Sequence, residues 1–245
     1  MTYAVVQLDL APPSVEALRQ AFSQTQTLRP QDAASVARDA FGILAQRLSA
    51  PEALTLCGVL KELGVATDVV DEHELPELPQ AKLVSRIDCL DVGLVLYDAL
   101  GRQTIVDWGR VVLVCAGKVG LIDLVSQEAQ YFAANDGDGY AMVRRNSRYA
   151  EKARTHLLLD IFLQGPERYR ADAAKLRYDY LGPRRKGTAA ANFDLLVADL
   201  VGRATRAVPN HGAEAVRAGR GFAYPSRKAF EKETIWRLWN AARKA

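Results

Sequence analysis

Gly42-Ile43-Leu44-Ala45-Gln46-Arg47-Leu48-Ser49-Ala50-Pro51-Glu52 decides how the first part of the chain folds. Gly42-Ile43-Leu44-Ala45 reads as a short apolar strand. Ser49 and Glu52, three apart, form a capping box, and Pro51 sits where a first helical turn tolerates it. Leu56, Val59, Leu60 and Leu63 then repeat at helical spacing, and Gly64 supplies the C-cap. Val65-Ala66-Thr67-Asp68-Val69-Val70 is a closing strand. Working back, Tyr3-Ala4-Val5-Val6-Gln7-Leu8 is β-rich, and Pro12-Pro13-Ser14 is a turn that opens a helix with Ser14 as N-cap. Ala17 stands where a capping box needs Glu or Gln; the stripe Val15, Leu18, Ala21, Phe22 is nevertheless helical. Pro30 starts a second helix, predicted to run until Gly42 stops it. The order is β-α-α-β-α-β, a small two-layer sandwich with its helices on one face.

The segments Gly42–Ala45, Leu48-Ser49, Glu52-Ala53, Leu60, Leu63-Gly64-Val65 and Val69-Val70 carry a resemblance. Their arrangement is similar to the second half of the C-terminal domain of the large-subunit ribosomal stalk protein. The resemblance implies the fold of residues 1–75. That family recruits translation factors through a lysine-rich helix face. Here the early helices hold only Arg19, Arg29 and Arg38, so no functional residue carries over.

Asp71-Glu72-His73-Glu74-Leu75-Pro76-Glu77-Leu78-Pro79 is acidic and proline-punctuated, and it neither continues a helix nor makes a central strand. It marks a boundary between units 1–75 and 80–245. Beyond it the period becomes that of strands. Ala81–Leu90 and Gly93–Tyr97 are apolar or alternating, Asp98–Arg102 is a hairpin turn, and Gln103–Trp108 returns. Gly109 breaks the chain, Arg110–Cys115 and Lys118–Val125 are two further strands about Ala116-Gly117, and His156–Leu163 pairs with Tyr169–Ala173. About seven short strands followed by helices predict an antiparallel barrel or sandwich, so the fold class is α+β. The Asp/Gly hairpin, Ile105-x-x-Trp108, the strand Arg110-Val111-Val112-Leu113-Val114 and a late helix resemble a bacterial pleckstrin-homology-like domain. That resemblance implies a scaffold for phospholipid heads, phosphopeptides or proteins. A long insertion, residues 126–155, departs from it. Asn192 reads as the cap of a helix bearing Phe193, Leu195, Leu196, Leu200 and Val201. The last helix carries Phe230, Ile235, Trp236, Leu238 and Trp239; its two tryptophans read as a closing layer of the core, with a partner-docking surface as the alternative.

Composition bounds function without naming it. The chain has 245 residues, 49% hydrophobic and 25% charged, the proportions of an ordinary globular protein. No apolar run reaches a membrane span, and none of the three cysteines lies in CxxC spacing, so a cytoplasmic protein is expected. Residues 1–80 carry 5 Lys and Arg against 11 Asp and Glu, whereas residues 140–245 carry 22 against 10. The basic half offers two candidate anion-binding groups. One is Arg144, Arg145, Arg148, Lys152 and Arg154, interleaved with Tyr140 and Tyr149; the other is Arg184, Arg185 and Lys186 on a turn after Gly182-Pro183. A solvated surface explains the same residues. Asn135-Asp136-Gly137-Asp138-Gly139 is no calcium loop, since Ala134 and Arg145 replace required ligands.

No HExxH, GxSxG, GxxxxGK[ST] or GxGxxG is present, and His73, His156 and His211 stand apart in the sequence. No cofactor, metal or catalytic residue is expected. The reading is a non-enzymatic binding or regulatory protein with a protein partner. The alternatives are binding of nucleic acid or another anion through the basic half, and an enzyme without a linear motif. The oligomeric state is left open.

Overall fold

A computed structural model of the chain describes residues 1–126 and 149–244, and of residues 121–126, 149–154 and 244 the backbone alone. The first part follows the local signals. Strand β1 (Tyr3–Gln7) leads to helix α1 (Val15–Phe22), where Ser14 Oγ accepts from the Ala17 amide at 3.0 Å. Pro30–Asp32 is a single 3-10 turn before helix α2 (Ala33–Arg38), which ends four residues ahead of the expected stop at Gly42. Strand β2 (Ile43–Leu48), helix α3 (Ala50–Glu62) and strand β3 (Thr67–Asp71) complete the unit. The capping box forms. Thr27 Oγ1 and its amide donate to Glu52 Oε1 (2.6 and 3.0 Å), and Ser49 Oγ and its amide donate to Oε2 (2.8 and 3.4 Å). With the Thr27 and Ser49 hydroxyls leading, these donors hold the Glu52 carboxyl down to about 2.

The three strands order as β2-β1-β3, with β1 antiparallel to both neighbours. Alternation sends Val5 to one face, where it meets Leu18, Phe22, Leu56 and Leu60. Ala4 and Val6 point to the other face, with Ile43 and Val70. That face is covered by Trp236 and Trp239 from the last helix, α6 (Arg227–Lys244). The two tryptophans are therefore core, as the sequence predicts. Gly42 has φ +86°, and a Cβ there would run into the Trp236 side chain, so this glycine answers both to backbone and to space.

The second part is mixed, with several sheets, and it does not close into the expected barrel. Strands β4 (Ala81–Leu83), β5 (Arg86–Leu90), β6 (Gly93–Tyr97) and β7 (Gln103–Val106) precede two long strands, β8 (Val111–Ser126) and β9 (Tyr149–Leu163). Strand β10 (Arg168–Asp172), helix α4 (Ala189–Arg203), strand β11 (Val208–Pro209), helix α5 (His211–Arg217) and strand β12 (Ala223–Tyr224) follow. One sheet orders as β11-β8-β9-β10-β4, with β12 also on β8; β5-β6-β7 is a separate meander.

Four expectations are corrected here. Ala81–Leu90 is two strands in two sheets, because consecutive amides choose different partners: Val84 donates to the Arg170 carbonyl (3.0 Å) and Ser85 to the Tyr97 carbonyl (2.8 Å). The chain thereby steps from one sheet to the other, and nothing bonds β4 to β7. Arg110–Cys115 and Lys118–Val125 merge into β8. Gly117 and Gly120 admit β12 rather than break the strand, since a Cβ at Gly117 would strike the Tyr224 ring and one at Gly120 would stand 3.0 Å from the Pro225 carbonyl oxygen. The pairing of β8 with β9 continues to Ser126 and Tyr149, so 126 and 149–155 of the expected insertion are strand; its remainder, 127–148, lies outside the described residues. Finally, Thr188 caps α4, its Oγ1 accepting from the Ala191 amide at 3.2 Å. Asn192 is buried inside the helix, bonding the Lys186 amide and carbonyl at 2.6 and 3.0 Å.

Ile87, Leu94 and Leu96 of the meander, Val114, Leu159 and Ile161 of the large sheet, and Phe193, Leu196 and Leu200 of α4 share one core. No helix among the described residues is long and apolar enough to cross a membrane.

Candidate functional site

Where the two sheets fail to join, a cleft of about 490 Å³ opens. Its floor is apolar: Val84 and Leu96 belong to the shared core. Its walls are Lys82 and Leu83 of β4, Tyr169 of β10, Thr104 of β7, and Asp98 and Arg102 of the hairpin. β4 and β7 are terminal strands of their sheets, so each carries an edge without a strand partner among the described residues. Leu83 is 70% exposed, and Ile105 on β7 is 74% exposed.

The rim is charged and ordered. Lys82 Nζ lies 2.7 Å from Glu167 Oε1 and 5.2 Å from the Tyr169 ring centroid. Tyr169 donates to the same Glu167 oxygen at 3.2 Å, and Arg110 reaches the other at 3.1 Å. Lys82 leads in holding the Glu167 carboxyl below its usual range. Across the cleft, Asp98 accepts from the Leu100 and Arg102 amides (2.8 and 2.9 Å) and from Arg102 Nε (2.6 Å). These bonds fix the hairpin that the sequence predicts and place Arg102 at the mouth. Hydroxyls of Thr104 and Tyr169 are the only uncharged side-chain polar groups of the lining, and no nucleophile–base pair converges there. The cleft can bind; it holds no catalytic constellation.

A second polar cluster joins α5, β12 and α6. Tyr224 donates to Glu233 Oε2 at 2.6 Å, and its oxygen accepts from Asn210 Nδ2 at 2.7 Å. Glu233 Oε1 accepts from the His211 amide (2.9 Å) and Arg237 Nε (3.1 Å), while His211 Nδ1 stands 3.2 Å away but off the line of a hydrogen bond. Glu233 beside it raises the imidazole pKa. Asn210 Oδ1 accepts from the Ala116 and Ala213 amides. Every oxygen of Glu233 is thus occupied by groups of the fold, and the cluster is a clasp holding three elements against β8. A similar clasp sets Arg168 and Arg170 on the fully buried Asp160 (2.6 and 2.7 Å), with Glu231 of α6 within 3.8 Å of both.

Of the anion-binding candidates, Arg184, Arg185 and Lys186 do not line the cleft. Arg144, Arg145 and Arg148 lie outside the described residues. The backbones of Lys152 and Arg154 pair with Asp123 and Leu121 in the β8–β9 ladder. Arg184 forms a bidentate pair with Asp199 at 3.0 and 2.7 Å, and Tyr180 donates to the same carboxylate at 3.0 Å; Arg185 and Lys186 are exposed beside them. The three cysteines are buried thiols, and burial pushes the Cys89 thiol up to about 12. No His, Cys, Asp and Glu cluster suited to a metal occurs among the described residues. Sequence reasoning missed Lys82, Asp98, Arg102 and Tyr169 as neighbours, because two separate strands and a hairpin bring them together. The one local signal was the Asp98…Arg102 turn.

No family model matches the chain, and no curated protein and no solved structure matches it.

Proposed function

We propose that the protein is a non-enzymatic binding protein whose partner protein seats in the cleft between β4 and β7. One observation carries the reading. The two sheets stay apart at a place where an apolar floor, two strand edges without a described strand partner and rim charges of both signs converge. The polar cluster about His211 and Glu233 is consumed by the fold's own hydrogen bonds. A stalk-like unit over 1–75 and a pleckstrin-homology-like unit over 80–245 belong to the same proposal, as does a cytoplasmic setting for the three free thiols. The rival reading, nucleic acid or another anion held by the basic half, rests on charge alone.

The test compares the wild-type chain with Thr104→Trp, which places an indole in the cleft mouth. Both are immobilised and exposed to native lysate of the source organism, with and without nuclease and across a salt series. A partner held by the wild type, lost by the variant and indifferent to nuclease is the expected result. Equal retention by both chains overturns the reading. Retention released by nuclease and falling steeply with salt establishes the rival instead.

A further inference from the structure

We infer that the occupant of the cleft is an extended peptide segment of the partner, added as a strand to the free edge of β7, with carboxylates on its cleft-facing side. The inference rests on the binding reading above and specifies its ligand.

Backbone geometry comes first. In an antiparallel ladder, residues alternate between turning both polar groups toward a neighbour and turning both away. The Tyr97 carbonyl accepts from Ser85 on the β5 side, so Tyr97 turns away from β7, and so does its partner Gln103 turn away from β6. Two residues on, Ile105 repeats that orientation. Gln103 and Ile105 therefore offer N–H and C=O groups outward along an edge that no described strand covers. A segment laid along this edge gains main-chain hydrogen bonds without any change in β6.

Side chains set its chemistry. An added strand alternates between the Ile105 face and the Thr104 face. Ile105 is 74% exposed and calls for apolar side chains on its own face. On the other face lie Leu96 at the floor and the cations Lys82 and Arg102 at the rim. Of the lining residues two cations, Lys82 and Arg102, stand against one carboxylate, Asp98, and Glu167 beyond the lining is shared between Lys82 and Arg110. A Glu or Asp on the cleft side lies beside Thr104 and balances the remaining charge. The segment is thus apolar at one parity and acidic at the other.

The probe is an acetylated, amidated heptapeptide, Thr-Val-Glu-Val-Asp-Val-Thr, with a counterpart carrying Lys at both acidic positions. Binding to the full chain is followed by titration calorimetry. Saturable binding of the acidic peptide, at least tenfold tighter than the lysine peptide, is expected. Ile105→Pro removes the outward amide without taking a donor from the β6 ladder and weakens binding at least tenfold. Ile105→Thr keeps that amide and weakens binding only a few-fold, which separates backbone pairing from lost apolar contact. Absence of binding by the acidic peptide, or equal binding by wild type and Ile105→Pro, overturns the inference. So does self-association of the wild type that Ile105→Pro abolishes, since the edge then pairs with a second copy. If Thr104→Trp loses the lysate partner while Ile105→Pro keeps it, the cleft stands as the site and strand addition fails.

Discussion

The sheet β2-β1-β3 and the meander β5-β6-β7 each have three antiparallel strands, yet they end differently. The first is covered on both faces, by α1 and α3 on one side and by Trp236 and Trp239 of α6 on the other. The second shares a core with α4 on one side, but no described strand covers β7, and Gln103, Thr104 and Ile105 are all exposed. The first sheet has both faces taken up by the fold, although β2 and β3 are terminal strands, and no cleft is described beside them. An uncovered edge beside a cleft has both the hydrogen-bonding groups and the room. The difference separates a part of the molecule whose residues serve stability from a part where substitution costs little and where the proposed partner would seat.

The sharpest way to break this comparison is Trp236→Ala. The indole is 9% exposed, donates to the Gln7 carbonyl at 2.7 Å and lies over Gly42. Its loss leaves a cavity across the outer face of the first sheet and an unpaired buried carbonyl. A destabilisation of about 3–5 kcal/mol is expected. A urea titration monitored by circular dichroism measures it, and a change below about 1 kcal/mol, the scale of an ordinary substitution, would show that α6 is not what closes that face.

The contrast also explains what could be read from sequence. In the first unit each element is announced by its own residues: Ser49 with Glu52, Gly64 after α3, Ser14 before α1. Even there, nothing local says that α6 covers Ile43 and Val70. In the second unit the strands were legible from alternation, but closure was not. It turns on two successive amides, Val84 and Ser85, bonding to different sheets, and a hydrophobic pattern carries no record of that choice. Gly117 and Gly120 carry the opposite lesson. Glycine signals a break and a close approach alike, and only the position of β12 tells them apart. The cleft was illegible for the same reason, because its walls meet only once the strands have been assigned to sheets.

Lys232 probes the covered side from another direction. It lies on α6, is 8% exposed, and burial with Lys228 nearby pushes its amine down to about 8, against a partly compensating Asp39. Between about pH 8 and 10.5 the unfolded chain holds a proton that the folded chain has released, so stability rises with pH across that window. Below pH 8 the full cost of burying the charge is present. Lys232→Met therefore stabilises the protein at pH 7, by on the order of 2 kcal/mol, and the gain fades above the window. Denaturant midpoints of both chains at pH 7 and at the alkaline end measure it. A variant that is less stable at neutral pH would mean that the amine is compensated in the folded chain.

The smallest effect is expected at an apolar side chain that stands open to solvent. Ile105→Thr replaces a β-branched residue by another of similar shape, at a position 74% exposed on a strand edge. Strand propensity is nearly kept, and little area leaves or enters water, so folding stability should move by no more than about 0.5 kcal/mol. So small an effect depends on the edge being open. If β7 were covered in the folded chain, Ile105 would be buried, and the introduced hydroxyl would need a partner there. The change would then cost more than about 1 kcal/mol. A urea midpoint shift of that size in the isolated protein would show β7 to be closed, and the comparison between the two sheets would fail with it. A midpoint that stays put, together with the few-fold loss of peptide affinity expected above, assigns Ile105 to binding and leaves Trp236 to the fold.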